Sequence, residues 1–311
     1  MSKRAEDGWE LSIGALSQAT GVPVETLRTW ERRYGFPEPV SRSDGGHRRY
    51  PAQAVGTVRL IVQALDQGHR AASVLGLSDA QLRTMLGTVT DTASDQSQRT
   101  AEDRMALQQF MELTLQMEGK GLLGAFQVSL AELGAIEFLQ RRMAPYVTEV
   151  GTAWARGELR IVHEHFASER VREFLSQQWR TLAESSPSSD APSVVLATPP
   201  GEAHVLGLHM VAWAVVLGGA RVVFLGANTP MVEVALAAQR HQALGVALGV
   251  AAGYSGDLHA EVASLKRQLP RNVSVVVGGT GARDQACGAQ YLDSFTSIRE
   301  WSEQLLGGSI N

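Results

Sequence analysis

The chain of 311 residues holds a single cysteine, Cys287, and no apolar run long enough to cross a bilayer. A lone cysteine excludes an intramolecular disulfide and a thiolate metal cluster within one chain. The most apolar stretch, 205–219, is shorter than the ~20 residues a membrane helix needs, and it carries His209. The opening residues lead into no apolar segment of the signal-peptide kind, so a cytoplasmic protein with no membrane partner is expected. Neither sign of charge dominates: the net charge of −4 excludes a uniformly basic nucleic-acid coat. That sum hides a local excess. Positions 26–50 contain six arginines (Arg28, Arg32, Arg33, Arg42, Arg48, Arg49) against three acids (Glu31, Glu38, Asp44).

What is present is an ordinary globular balance, 44% apolar and 19% charged, over a length that allows two or three domains. Short helices and tight turns run to about residue 86. A stretch rich in Thr, Ser, Asp and Gln, 87–104, then reads as a linker. From 105 to 184 the apolar spacing is helical (Phe110, Leu113, Met117; Leu122, Phe126, Leu130, Leu133), with glycines as interruptions, which suits a four-helix bundle. A Ser/Pro break at 185–190 precedes the last segment, 192–309. There short apolar strands at 194–197, 222–225, 244–250 and 273–277 alternate with helices, and right-handed crossovers would join them into a doubly wound parallel sheet.

In the arginine-rich part, 13–17 and 24–34 read as two helices around the turn Thr20-Gly21-Val22-Pro23, a helix-turn-helix spacing whose second helix suits a major groove. Arg28 and Arg32 share one face of that helix, and Trp30 and Tyr34 share another. Trp30 is read equally as core or as contact. Beyond it, 42–50 reads as a hairpin turned by Gly45 and Gly46, with His47, Arg48, Arg49 and Tyr50 on its return arm. Arginine contacts to phosphate supply affinity rather than sequence choice. A charge run alone more often just solvates a helix face. Here, however, Leu27-Arg28, Trp30-Glu31-Arg32-Arg33-Tyr34-Gly35, Gly45-Gly46 and Arg48-Arg49-Tyr50 together resemble the winged-helix head of the mercury-resistance (MerR) family of transcription regulators, over 9–86. The resemblance implies a dimer on two operator half-sites in double-stranded DNA. It assigns contacts to Arg28, Trp30, Arg32, Arg33, Tyr34, Arg42, His47, Arg48, Arg49 and Tyr50. The family's long dimer-forming coiled coil has no counterpart here.

A second constellation lies at Glu202-Ala203-His204-Val205-Leu206-Gly207, after the strand and turn 193–201. A histidine on that loop projects beyond the carboxyl end of a parallel strand, where open α/β sheets bind ligands. Glu202 is spaced to fix its tautomer, and Gly207 removes a side chain where a planar ring would press. Alone, such a histidine more often serves as a helix cap, and Trp154 and the pair Glu164-His165 in the helical segment read more readily as a core residue and a solvated pair. Together these motifs resemble the cobalamin-binding module of the light-dependent repressors of the CarH and LitR kind.

That resemblance implies a helical cap over one face of a corrinoid and a sheet domain supplying His204 as axial cobalt ligand to the other. Glu202 would support the histidine and Gly207 would admit the ring. Trp154, Glu164 and His165 would cover the adenosyl group, and Gly278-Gly279 would line the nucleotide tail. The chain departs from the pattern twice. Gly249-Val250-Ala251 stands where a Ser-x-Leu element usually touches the tail. Ala155 stands where light-sensing members place a second histidine, a part for which His163 and His165 are the nearest substitutes. The implied function is a repressor, not an enzyme, whose oligomeric state (dimer or tetramer) and hold on carotenoid or light-protection operators follow adenosylcobalamin and light. The rivals are the same architecture sensing haem or a bilin, the same architecture acting independently of light, and a corrinoid methyl carrier or mutase.

Overall fold

The computed structural model describes residues 10–20, 22–42, 46–51, 53–66, 71–79, 81–82, 100–185, 191–252, 254–283 and 287–307. The tip of the arginine hairpin, 43–45, most of the expected linker and the break at 186–190 lie outside them. The chain divides into two compact units, Met1–Arg104 with Thr148–His165, and Met105–Val147 with Phe166–Asn311.

The first unit begins β1 (Glu10–Ser12), α1 (Ile13–Thr20), α2 (Val24–Tyr34), β2 (Ser41–Arg42), β3 (Arg48–Pro51), α3 (Ala54–Asp66) and α4 (Ala71–Val74). Ser12 Oγ accepts the Ala15 N–H at 3.1 Å and so caps the first turn of α1. Pro23 sets the start of α2, whose end is fixed by Gly35 in the left-handed region (φ 74°), its N–H returning to the Glu31 carbonyl. The strands form a small antiparallel sheet in the order β1-β3-β2. Leu16, Leu27, Val58 and Ile61 are fully buried beneath it. Trp30 and Tyr50 join this core, 7% and 1% exposed. The same unit takes in the later turns of a helix that ends at Ala155, a reversal at Gly157 (φ 76°), and the first turn of the next helix.

The second unit contains α5 (Ala101–Leu115, from Met105 on), α6 (Gly119–Leu133), α7 (Ala135–Phe138), a π-helical turn at Leu139–Met143, the first turn of α8 (Ala144–Ala155), and α9 (Ile161–Ser185) from Phe166 onward. Its helical core is aromatic. Phe110, Phe126, Tyr146, Phe138 and Phe174 meet edge to face with centroids 4.9–5.8 Å apart, the geometry in which a ring's positive edge meets another's negative face.

The sheet strands are β4 (Ser193–Ala197), β5 (Arg221–Gly226), β6 (Gly245–Gly249), β7 (Ser274–Gly278) and β8 (Gln290–Leu292), all parallel, in the order β5-β4-β6-β7-β8. Helices α10 (Leu206–Leu217) and α13 (Phe295–Leu306) pack together, as do α11 (Met231–Arg240) and α12 (Leu258–Gln268). The four strands expected from sequence are present within a residue or two of their expected ends, and β8 is an addition. After β4 the chain steps outward to β5 and then back across to β6. That reversal opens a crevice at the carboxyl ends of β4 and β6, the switch point where such sheets take ligands. Among the described residues no helix is long and apolar enough to cross a membrane.

Candidate functional site

The loop between β4 and α10 carries His204 into that crevice. Glu202 lies beneath it, 2% exposed, with three donors on its carboxylate. His204 Nδ1 lies 2.6 Å from Oε1, the His204 N–H donates to the same oxygen at 2.8 Å, and the Ala251 N–H, from the loop after β6, donates to Oε2 at 2.8 Å. Burial pushes the Glu202 carboxyl up, but the bonds from His204 and Ala251 outweigh it, and its pKa falls below the usual carboxylate range. An ionised carboxylate only accepts, so it places the imidazole proton on Nδ1 and makes Nε2 the basic nitrogen. The His204 side chain is 75% exposed, an imidazole held at its base and presented outward.

The loop is fixed by residues that sequence reasoning did not single out. Thr198 Oγ1 donates to the Glu202 carbonyl at 2.6 Å and accepts from the Asn228 N–H at 2.9 Å. Asn228, itself in the left-handed region (φ 53°), accepts the Gly201 N–H at 2.7 Å. The one available signal was Asn228-Thr229-Pro230, a turn sequence directly after a strand. Tyr254, from the loop after β6, is a further residue that sequence missed. Its ring packs beside Gly201, and its hydroxyl is buried with no hydrogen-bond partner among the described residues.

The glycines divide into two kinds. A side chain at Gly207 would meet nothing within 4 Å, so that face of the first turn of α10 is open. Gly279 (φ 95°) instead admits the chain's own backbone, since a Cβ there would strike the Val250 carbonyl, and one at Gly278 would come within 3.2 Å of the Leu292 carbonyl. Val250 is 2% exposed, its N–H donating to the Gly278 carbonyl at 2.9 Å and its carbonyl accepting the Gly281 N–H at 3.1 Å. Gly249, at the end of β6, faces Leu208 at 3.4 Å from a built Cβ.

Trp154, Glu164 and His165 belong to the first unit and are described within it. His165 Nδ1 lies 2.7 Å from Glu164 Oε2 on the first turn of α9. Trp154 is 7% exposed, with the Arg59 guanidinium over its ring. The helix that carries Trp154 ends at Ala155, and the chain reverses at Gly157 (φ 76°).

The head presents a concave face lined by Arg28, Glu31, Arg32, Arg42, His47 and Arg48. Arg42 and Arg48 are directly paired across β2 and β3. Like charges at such a pair repel, a cost that an anion between them offsets. Arg48 is held by Glu31 at 2.9 Å, and the Tyr50 hydroxyl donates to the same carboxylate at 3.2 Å. Of the expected contact residues, Trp30 takes the core side of its two readings, and the Tyr50 ring is buried in the head's core although Tyr50 still borders the concave face. Tyr34 remains exposed.

Among the described residues no group of three or more His, Cys, Asp or Glu could hold a metal by itself. One oriented imidazole suits a metal whose other positions a macrocycle already fills. Three family models match the chain: the MerR HTH family regulatory protein over residues 11–84, and two B12 binding domain models over 192–303 and 106–177. Two curated relatives run nearly its full length. The HTH-type transcriptional repressor CarA of Myxococcus xanthus is 27% identical over 91% of this chain and 93% of its own. The HTH-type transcriptional repressor CarH of the same organism is 27% identical over 96% and 98%. A solved structure, the Methanosarcina barkeri monomethylamine corrinoid protein, shares the fold with a TM-score of 0.52 at 14% identity, over 65% of this chain and 99% of that one. No match supports the alternative haem or bilin ligand.

Proposed function

The chain joins a MerR-type helix-turn-helix to B12-binding domains, and from that premise we propose that it is a transcriptional repressor whose grip on operator DNA is set by adenosylcobalamin and by light. The observation that carries the reading is the Glu202–His204 couple at the sheet's switch point, in a chain that begins with an arginine-faced DNA reader. The donor set fits a corrinoid: one imidazole with its tautomer fixed, an open face at Gly207, and a buried Tyr254 hydroxyl with no partner among the described residues.

In this reading His204 Nε2 would hold the cobalt. Glu202 keeps the Nδ1 proton and raises the imidazole's basicity. Glu202 also ties the His204 loop to Ala251, so a pull on the imidazole is felt at the end of β6. Gly249, Val250, Gly278 and Gly279 border the tail through their backbones. Trp154, Glu164 and His165 would cover the group on the other side of the corrinoid, as the resemblance implies. Bound adenosylcobalamin supplies a cobalt–carbon bond that light cleaves. The assembled form is a homo-oligomer, a dimer or a tetramer of two dimers. Linking several heads raises operator affinity through effective concentration, so disassembly weakens the hold steeply without any change in a single head. Carotenoid or light-protection genes are the expected targets, and the cytoplasm the expected compartment.

Gel filtration of protein loaded with adenosylcobalamin, kept dark or illuminated, tests the reading. The dark sample should elute as the larger species and the illuminated one later. An unchanged elution volume removes light from the account, and an absorption spectrum unaltered by added cobalamin removes the ligand.

A further inference from the structure

The outward side of a surface helix is ordinarily polar, and on α11 half of it is not. Its inner face is set by Met231, Val234, Ala235 and Ala238, all buried in the core that β4 and β6 share. Val232, Glu233, Leu236 and Arg240 are left facing outward. Val232 and Leu236, one turn apart, are 55% and 57% exposed. The neighbouring α12 turns out His259, Lys266 and Arg267 and exposes no large apolar side chain. On α11 the charges stand at the two ends of the apolar pair, Glu233 in the first turn and Arg240 in the last. They are seven residues apart, and two helical turns return a side chain to within about 20° of the same line, so acid and base share one face with Leu236 between them. Neither side chain has an ion pair among the described residues. Such a face is complementary to itself. In an antiparallel pair of α11 helices about a two-fold axis near Leu236, each Glu233 meets the partner's Arg240, while Val232 and Leu236 close the centre. A parallel pair in register would set each charge against its like.

We propose that the outward face of α11 binds a second copy of this chain, antiparallel across a two-fold axis, and is one of the contacts of the assembled form. The assignment rests on the homo-oligomer part of the proposed function and not on its ligand. A helix of ten residues is about 15 Å long, so one such pair buries less than the ~1,200 Å² of a lasting interface and is weak by itself. It adds to assembly where other contacts already hold the copies close, through effective concentration. The face is also fastened to the His204 loop. Helix α11 follows Asn228 and Thr229, whose N–H groups both return to Thr198, at 2.9 Å to its hydroxyl and 3.0 Å to its carbonyl, and the same hydroxyl donates to the Glu202 carbonyl. One support thus carries both the imidazole and the contact.

Exchanging the charges tests this. Glu233→Arg and Arg240→Glu each set like charges together twice per pair, and each should weaken self-association about tenfold. The double variant Glu233→Arg/Arg240→Glu restores opposite pairs and should return to within about threefold of the natural chain. Stability of the fold runs the other way, because each change opposes the helix dipole and the double variant is the least stable of the three. Recovery of assembly in the least stable protein therefore reads the contact and not the fold. Leu236→Glu should remove the association by placing two carboxylates at the axis. Sedimentation velocity over a wide concentration range measures it, on full-length protein without ligand and with adenosylcobalamin in the dark, with urea titrations to rank stability. Single variants that associate like the natural chain, or a double variant weaker than both singles, overturn the α11 face while the homo-oligomer reading stands. A natural chain that stays monomeric in every sample overturns both. If the charge exchange behaves as expected without ligand, and cobalamin changes neither assembly nor the absorption spectrum, the face stands and the ligand reading falls.

Discussion

His209 has no place in the ligand chemistry, yet it is the most perturbed histidine described. It is 6% exposed on α10, stacked on Phe224 with centroids 4.5 Å apart, and its Nδ1 accepts the Trp179 indole N–H at 3.1 Å. That bond requires the neutral ring. Burial, then the positive charges of Arg180 and Arg172, lower its pKa from 6.5 to about 4. A histidine depressed in the folded state stabilises fully above its unfolded pKa, and that contribution is lost as pH falls from about 6.5 towards 4. The shift is worth about 3 kcal/mol at most. In urea titrations, His209→Asn, whose amide oxygen replaces Nδ1 as acceptor, should lose less stability than the natural chain between pH 7 and pH 4, by up to that amount. An equal loss in both proteins would mean that another group titrates. In sequence, His209 was legible only as a blemish in an apolar helix. Its partners, Trp179 and Phe224, come from elements that periodicity cannot bring together. Glu202 and His204, two residues apart, were legible because a short loop confines both, whereas the donor from Ala251 and the anchors Thr198 and Asn228 depend on which strands become neighbours.

At the scale of elements, the recognition helix α2 and the wing strands β2 and β3 are held together by Glu31. Sequence counted Glu31 as one of three acids diluting six arginines. In the fold its carboxylate joins Arg48 to Tyr50, so it sets the angle of the wing against the helix. These two views predict opposite signs. If Glu31 only repelled phosphate, Glu31→Gln would tighten DNA binding. If it positions Arg48, the substitution should weaken binding about tenfold, or about 1.4 kcal/mol. Fluorescence anisotropy with an operator duplex at two salt concentrations separates them. If Arg48 meets a phosphate, as the proposed function has it, Arg48→Ala should also reduce the salt slope by about 1. Elements with strong periodicity were legible: α1, α2 and four parallel strands stand where apolar spacing put them. β8, three residues long and beginning with Gln290, carries too little pattern to be read. Trp30 was left between core and contact, and Tyr50 was placed on the DNA face, because aromatic residues among arginines look the same in sequence whether they stack outward or inward. Only the closure of the β1-β3-β2 sheet over α1 and α2 decides it.

For the whole molecule, the reversal of strand order between β5-β4 and β6-β7-β8 makes one crevice the meeting point of two loops, and Glu202 bridges them through His204 and Ala251. A head reads one half-site with no help from this crevice, whereas assembly of several heads depends on it under the proposed function. Removing the axial imidazole should therefore separate the two activities. His204→Ala deletes an exposed side chain, leaves Glu202 its bond from Ala251, and should cost the fold under about 1 kcal/mol, because exposed substitutions seldom cost more. It should bind a half-site duplex as tightly as the natural chain does. On a full operator with adenosylcobalamin in the dark, the natural chain should gain about a hundredfold from linked heads, and the variant nothing. Sedimentation velocity on the same samples should show the larger species only for the natural chain. If His204→Ala assembles and gains affinity on adding adenosylcobalamin, the imidazole is not the residue through which ligand and assembly are coupled. If it loses half-site affinity as well, the crevice acts on the head directly, and linkage between heads is not the source of control.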